Sequence, residues 1–342
     1  MDALIPQQVP QARFVLGYQQ RNITHQVSEY LLSLTYTDHL TGKADSLQVE
    51  LEDTQGKWRD IWYPGHGDAL TLSLGWQGTP LRTLGRFEID EVELNSPPST
   101  LTIHALATGI TQAVRTTEHQ AYENLTLSAV ISQIAKRLGL TLVGHIAPIK
   151  LDRLTQQTTD LAFLHTLAEQ YDYAFKITGN QLVFHAINDL AKTNPVATFT
   201  LSDLANVHLR DQRKTIPKAI ELKHQDPAKK QLITYILTNN QTVATPSSAT
   251  QTTTSADTRK TRQRSTTAEQ AKAQARAQQD QTNRQRTTGS WTSLGQPNLV
   301  SGNVITLATT GQLAGRYLIT SSQHRITRNA GYTTFQQVCR IP

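Results

Sequence analysis

The sequence predicts a mainly β protein with an α+β insertion: one β domain, a small α/β module, then a second β domain. Three observations predict it. Short runs of alternating apolar and polar residues fill residues 12–107 and return from residue 196 onward. Between them, residues 124–187 hold two amphipathic helical patterns, each followed by a strand pattern. Composition agrees: 37% hydrophobic and 18% charged residues leave a large share to Thr, Gln, Ser and Asn, which suit strands with one polar face. At 342 residues the chain can build two or three cores.

In the first β region the expected strands are Ala12–Tyr18, Val27–Asp38, Ser46–Glu52, Asp68–Gln77, Phe87–Leu94 and Leu101–Leu106. Leu47, Val49 and Leu51 share a face, as do Leu70, Leu72, Leu74 and Trp76. Phe87–Leu94 alternates less cleanly. Turn signals fall at His39–Gly42, Gln77–Pro80 and Asn95–Pro98. Five or six short strands with one apolar face indicate a closed or nearly closed barrel.

The most legible stretch is Gln156–Ile187. Thr158 or Thr159 can cap a helix whose apolar positions are Leu161, Leu164, Ala168 and Tyr171, with Phe163 and Leu167 widening the stripe. Asp160 suits its first turn, and Asp160, His165 and Glu169 read as helix-surface residues. Asp172 ends it, and Tyr173–Ile177 and Gln181–Ala186 form a hairpin around Thr178-Gly179-Asn180. An earlier helix spans Asn124–Gly139, with Leu127, Val130, Ile131, Ile134 and Leu138 on one face, Thr126 or Ser128 as cap, and Leu140–Val143 as the following strand.

Past Val196 we expect strands at Ala197–Leu201, Lys218–His224, Gln231–Leu237, Val304–Ala308, Gly315–His324 and Tyr332–Arg340. Residues 238–258 hold little that could enter a core and read as a long polar loop. Thr266-Thr267-Ala268-Glu269 matches a capping box, and a helix is expected over 267–283. Alanine is its only apolar residue, so it should pack closely but bury little. The expected division is 1–110, 111–190 and 191–342.

The net charge of +6 is concentrated. Residues 259–286 contain eight basic and two acidic residues, which account for all of it. This stretch lacks interleaved aromatics for base stacking, so it reads as a solvated helix or one that pairs with an acidic neighbour, with no sequence-specific nucleic-acid contact. Arg262, Arg264, Lys272 and Arg276 are its candidate interface or channel contacts.

Chemistry is hard to find. There is no GxxxxGK[ST], GxGxxG, GxSxG or HExxH, and Cys339 is the only cysteine. The eleven histidines never come in close pairs and read as structural. Glu88, Asp90, Glu91 and Glu93 read as a solvated sheet face rather than glycosidase carboxylates, and Ile61-Trp62-Tyr63-Pro64-Gly65 as a turn packed over a barrel end. No catalytic residue, cofactor or metal is expected. The opening MDALIPQQVPQ has no signal-peptide pattern, and no window reads as a membrane span.

Gly85–Leu94, Pro97–Ile103, Asn124–Leu140, Gln157–Leu164 and Leu167–Tyr171 resemble, at matching spacing and over nearly the whole chain, the late control gene D proteins. These are the baseplate hubs of contractile phage tails. Related hubs occur in R-type tailocins and in the amino-terminal half of the valine-glycine repeat spike proteins of type VI secretion. The resemblance implies two tube-like antiparallel β-barrel domains flanking the α/β module. It also implies a homotrimer whose ring adapts a six-fold tail tube to a three-fold central spike. Implied partners are the tube, the spike and other baseplate proteins, in a product made in the bacterial cytoplasm and built into a virion or tailocin baseplate, without stable membrane insertion. Because the sequence ends at Pro342, spike and wall-degrading functions are expected from separate chains. Nothing is carried over to residues 238–258 or the basic helix. Two other readings are a peptidoglycan-binding module, since 124–143 resembles glycan-binding repeats, and a muralytic component using Glu88–Glu93.

Overall fold

The computed structural model describes residues 10–107, 116–212, 219–226, 231–238, 241–246, 258–262 and 268–341, with only the backbone described for the strands between 219 and 262. It is mainly β. A 13-stranded sheet carries most of it, sheets of two and three strands lie mid-chain, and a four-stranded sheet accompanies the longest helix described.

The first half contains β1 (Ala12–Tyr18), β2 (Arg21–Asn22), α1 (Thr24–Ser28), β3 (Leu31–His39), β4 (Ser46–Glu52), β5 (Ala69–Trp76), β6 (Arg82–Asn95) and β7 (Thr100–Leu106). These strands pair antiparallel in the order β3-β4-β7-β6-β5-β1-β2. Leu34, Tyr36, Leu47, Val49, Leu51, Leu70, Leu72, Leu74, Phe87 and Ile103 fill one core. Among the described strands, β1 and β3 do not pair with each other. The segment leading into α1 covers the β1 edge instead. The Ile23 N–H donates to the Leu16 carbonyl at 2.9 Å, the Leu16 N–H to Thr24 Oγ1 at 2.9 Å, and Val27 is buried in the core. The barrel is therefore nearly closed. The uneven alternation in β6 has a cause: the register against β7 shifts between Ile89 and Glu91, leaving Asp90 as an extra residue. Both Asp90 and Glu91 then face solvent, and Val92 returns opposite Ile103.

The module contains β8 (Gln120–Thr126), α2 (Leu127–Arg137), β9 (Thr141–Val143), β10 (Lys150–Gln156), α3 (Asp160–Tyr171), β11 (Tyr173–Thr178), β12 (Gln181–Ala186) and α4 (Ile187–Leu190). Thr126 caps α2 by accepting from the Ala129 N–H, and Thr159 caps α3 by accepting from the Ala162 N–H. The two apolar stripes share a core containing Val130, Ile131, Ile134, Leu164, Leu167 and Phe184. Asp172 stops α3 in the left-handed conformation (φ 64°), which an aspartate tolerates. Sequence reasoning placed Asp160 on the surface, and this is corrected: it is only 1% exposed. Arg137 grips it, with Nε 3.1 Å from Oδ2, and Gln156 Nε2 donates to it at 2.7 Å. The carboxylate joins the end of α2 to the start of α3. His165 and Glu169 do lie on the outer face, 3.8 Å apart. Strands β8 and β10, a two-stranded ribbon rich in charged and polar residues, carried too little alternation to be read from sequence.

The second half supplies β13 (Ala197–Phe199), β14 (Leu204–Asp211), β15 (Ala219–Asp226), β16 (Gln231–Thr238), β17 (Gln241–Pro246), β18 (Thr258–Arg262), α5 (Ala268–Arg284), β19 (Thr287–Leu294), β20 (Val304–Leu307), β21 (Gly315–Thr327) and β22 (Gly331–Arg340). Strands β15–β18 form the four-stranded sheet, ordered β17-β16-β15-β18. Part of the expected polar loop is thus strand: Gln241–Pro246 pairs antiparallel with β16, so threonine-rich sequence has joined a ladder. Residues 239–240 and 247–257 of that loop lie outside the described residues. Helix α5 contacts α3, β15 and β16, and it buries more than expected. Ala271, Ala275, Gln270 and Gln274 are all buried. Small alanines allow close approach, and polar groups fasten the helix: Gln281 Nε2 donates to the Glu169 carbonyl at 2.6 Å, Asn188 Nδ2 to Asp280 at 2.5 Å, and Arg284 pairs with Asp172.

One strand joins the two halves. Along one edge β21 pairs with β22. Along the other, Gly315–Leu318 pairs with β20 and Ser321–Thr327 with β3, so the strand leaves the second half and enters the first. The cores follow. Tyr317, Ile319 and Val338 pack with Trp291 and Phe199, whereas Ile326 and Tyr332 belong to the core of the first half. At the crossing, His324 is fully buried, stacked on Tyr36, with Nδ1 2.8 Å from Tyr332 Oη and Nε2 3.1 Å from the Leu299 carbonyl. Burial pushes its pKa down to about 4, so it stays neutral. A cut near residue 190 would therefore separate strands that share a core.

The module is fastened to both halves at one carboxylate. Asp38, at the end of β3, accepts from Lys176 Nζ of β11 at 2.7 Å, and from the Ser301 N–H at 2.7 Å and Oγ at 2.8 Å. Asp45 accepts from the same Lys176 at 3.2 Å. Burial, then the neighbouring Asp38 carboxylate, push Asp45 up to about 7 despite Lys176.

Two outcomes follow from these contacts. A fragment of residues 1–110 should not fold, because it lacks Ile326 and Tyr332 and bares the β3 edge; circular dichroism and limited proteolysis against the full chain check this, and a cooperatively melting fragment would contradict it. For Asp45, the folded state holds its proton more tightly than the unfolded chain does. Its contribution is therefore favourable below about pH 4 and lost as pH rises toward about 7. Asp45→Asn should gain stability over the native chain between pH 4 and pH 8, by about 4 kcal/mol at most. Melting temperatures of both proteins across that range test it, and a flat difference would mean that Asp45 ionises without penalty.

Candidate assembly surface

Glu88 to Glu93 lie along β6, where the bulge turns Asp90 and Glu91 outward together. Glu93 meets His104 at 3.7 Å and accepts from Asn95 at 3.2 Å, both in exposed positions. These carboxylates line an open strand face, not a cleft, and do not face one another across a substrate-sized gap. Among the described residues no three His, Cys, Asp or Glu side chains group as they would around a metal ion. No helix of the described residues is long and apolar enough to cross a membrane.

A hollow of about 620 Å³ lies between the C-terminal end of α5 and the strands of the second half. His39, His208, Arg284, Gln337 and Cys339 are among its walls. Its chemistry is spent internally. Arg284 is paired with Asp172, and burial pushes the Cys339 thiol up to about 11, so it is not a thiolate nucleophile. Burial, then Lys43, lower the pKa of His39.

The four basic residues singled out in the sequence do not form one cluster on one helix. Arg262 ends β18, a strand parallel to β15. Arg264 lies outside the described residues. Lys272 and Arg276 are one turn apart on the solvent face of α5, opposite the buried Gln270, Ala271, Gln274 and Ala275. The helix expected over 267–283 is present as α5, whereas the basic residues that precede it at 259–262 add a strand to a sheet.

Sequence reasoning missed the groups that position these surfaces. Asp38 shares the inward parity of Leu34 and Tyr36, and a charge on an apolar face was the available signal for the Asp38–Lys176 junction. The Asp172–Arg284 pair had no such signal, because its partners are 112 residues apart. The Ile61–Gly65 turn does cover the end of the first barrel, but it leaves Ile61, Trp62 and Tyr63 prominently exposed.

Comparison with known proteins gives this arrangement a context. A probable baseplate hub protein of Escherichia phage 186 is 33% identical over 197 residues, covering 56% of this chain and 50% of that protein. The chain thus spans about half the length of the curated relatives it matches. Among solved structures, the 43 kDa tail protein of prophage MuSo2 from Shewanella oneidensis has the same fold, with a TM-score of 0.64 at 15% identity over 97% of each chain. An Escherichia coli component of the type VI secretion system shares the fold at a TM-score of 0.56 and 10% identity, over 92% of this chain and 74% of that one. The phage tail baseplate hub (GPD) family model matches residues 109–330, so the Gly85–Ile103 stretch of the resemblance falls outside the matched range. Since that match takes in more than half of the sequence, including the whole α/β module and the residues through β21, the chain belongs to the phage tail baseplate hub (GPD) family.

Proposed function

We propose that this chain is a structural hub, in which three copies close a ring that adapts a six-fold tail tube to a three-fold central spike. One observation carries the reading. Each chain holds two mainly antiparallel units, the second with one parallel pair between β13 and β20, joined into a single sheet by β21. Three chains then present six such units in a circle while keeping three-fold symmetry. Family membership supports assembly in a phage tail or a related injection device. The tube protein, the spike and other baseplate proteins are the proposed partners, and the role is non-enzymatic.

The domain pattern proposed for the ring is a first barrel, a module that braces it, and a second barrel bearing the four-stranded sheet and α5. Lys272 and Arg276 are the proposed contacts on α5, since both side chains are exposed on its outer face. Arg262 and Arg264 are proposed as further interface or channel contacts. No observation favours the peptidoglycan-binding or muralytic reading over this one.

Light scattering of the purified chain with its spike protein should give a complex whose mass is three times the chain mass plus that of the bound spike, at micromolar concentration and physiological salt; a stable monomer there would refute the ring. Replacing both Lys272 and Arg276 with Glu should cut particle assembly several-fold while leaving the melting temperature within about 1 °C, since surface substitutions rarely change stability by more than about 0.5 kcal/mol. Unchanged particle yield in electron micrographs would remove α5 from the interface.

A further inference from the structure

We propose that copies of this chain join head to tail by charge, the acidic edge of β6 in one copy seating against the outer face of α5, with Lys272 and Arg276, in the next. The inference rests on the ring reading and names the contact between neighbours. Its basis is a division of charge that the modest total of +6 conceals. Residues 1–110 hold thirteen acidic and seven basic residues, a net −6. Residues 191–342 hold twenty basic and seven acidic residues, a net +13. Residues 111–190, with six basic and seven acidic, are close to neutral. Arg325 and Arg328 lie beside β3, and counting them with the first half still leaves −4 there against +11. Such an asymmetry says little about folding and much about association.

The acidic side is concentrated and accessible. Strand β5 pairs with β6 only as far as Glu88, so Asp90–Asn95 keeps an unpaired edge among the described strands. Glu88, Asp90, Glu91 and Glu93 follow one another there with no basic residue between them, and the last three are exposed. A strand edge carrying like charges resists pairing with its own copy, so β6 does not meet β6. On the basic side, α5 exposes Glu269, Lys272, Arg276 and Asn283, two cations to one anion. Its opposite face is already taken by the module, through Gln281, Arg284 and the buried alanines. The outer face is therefore the one left for another molecule.

Ring geometry brings these two surfaces together. First and second halves alternate around the circle, so the second half of each copy meets the first half of the next. A closed ring of this kind uses two different surfaces on every subunit. Here the two surfaces carry opposite charge, which steers the correct approach and penalises encounters between like halves. Nucleic acid is the other polyanion that a basic face could meet. It would leave the acidic strand without a counterpart, and residues 259–286 have no aromatic side chain to stack on bases.

Charge reversal in the full-length chain tests the contact. Glu91→Lys with Glu93→Lys, and separately Lys272→Glu with Arg276→Glu, should each lower incorporation into tail particles at least about tenfold at unchanged melting temperature. Reversing all four residues together should restore incorporation to within about twofold of the native chain, because the two sides act as a pair. A four-residue variant that does not recover overturns the proposal. A second measurement joins carboxylates to amines with a carbodiimide in spike-bound complexes made from isotope-labelled and unlabelled chains. Lys272 should link to Glu91 or Glu93 between chains. Links confined to one chain, or none to these carboxylates, overturn the contact. So does a Lys272→Glu, Arg276→Glu chain that assembles normally but no longer binds double-stranded DNA, which would make the face a phosphate contact. Failure of the ring reading shows separately, as a native chain that stays monomeric with its spike, and it removes ring and contact together.

Discussion

The fold depends on a single strand serving two neighbours. Because β21 pairs with β20 over its first residues and with β3 over its later ones, the two β units share one register. A strand's side chains alternate with a period of two, so a slip by one residue would turn Tyr317 and Ile319 out of one core and Ile326 out of the other. The register shift between Ile319 and Ser321, where β21 passes from one neighbour to the other, lets each half keep its own alternation. Flexible linkers between domains allow motion, whereas a shared ladder does not. The relative orientation of the two units is therefore built into backbone hydrogen bonds, which is the property a ring subunit requires.

Polar contacts then fix what the sheet leaves free. Asp38 touches a strand of the module and a loop of the second half while belonging to the first. Asp172 does the same between the end of α3 and α5. Buried ion pairs add little net stability compared with apolar packing, but removing one partner leaves an uncompensated charge. Their value lies in specificity: only one placement of module and helix brings each carboxylate to its cation. Helix α5 shows the same economy, since its alanines permit contact and its glutamines choose the partner atoms.

How much of this was legible depended on distance along the chain. Both main helices of the module, their threonine caps and the α3–β11–β12 unit could be read because caps, stripes and hairpin turns are local signals. Strands with one apolar face were legible for the same reason. The polar ribbon β8–β10 was not, since it packs few apolar side chains, and threonine-rich β17 read as loop for lack of any hydrophobic alternation. The pairing of β21 with β3 joins residues almost three hundred positions apart, and no local pattern encodes it. The surface groups were legible as residues but not as sites. The basic stretch from Arg259 became part strand and part helix, and the Asp38–Lys176 junction showed only as a charge on an apolar face.

The first barrel and the rest of the chain diverge in an informative way. The family match begins at residue 109, after β7, yet the fold likeness to the Shewanella tail protein covers 97% of this chain. A β core tolerates extensive change so long as volume and alternation persist. What need not persist is the surface, where exposed residues such as Ile61–Tyr63 lie outside the core. The rigid elements are those that hold the faces in register, and the faces themselves are where one hub would differ from another.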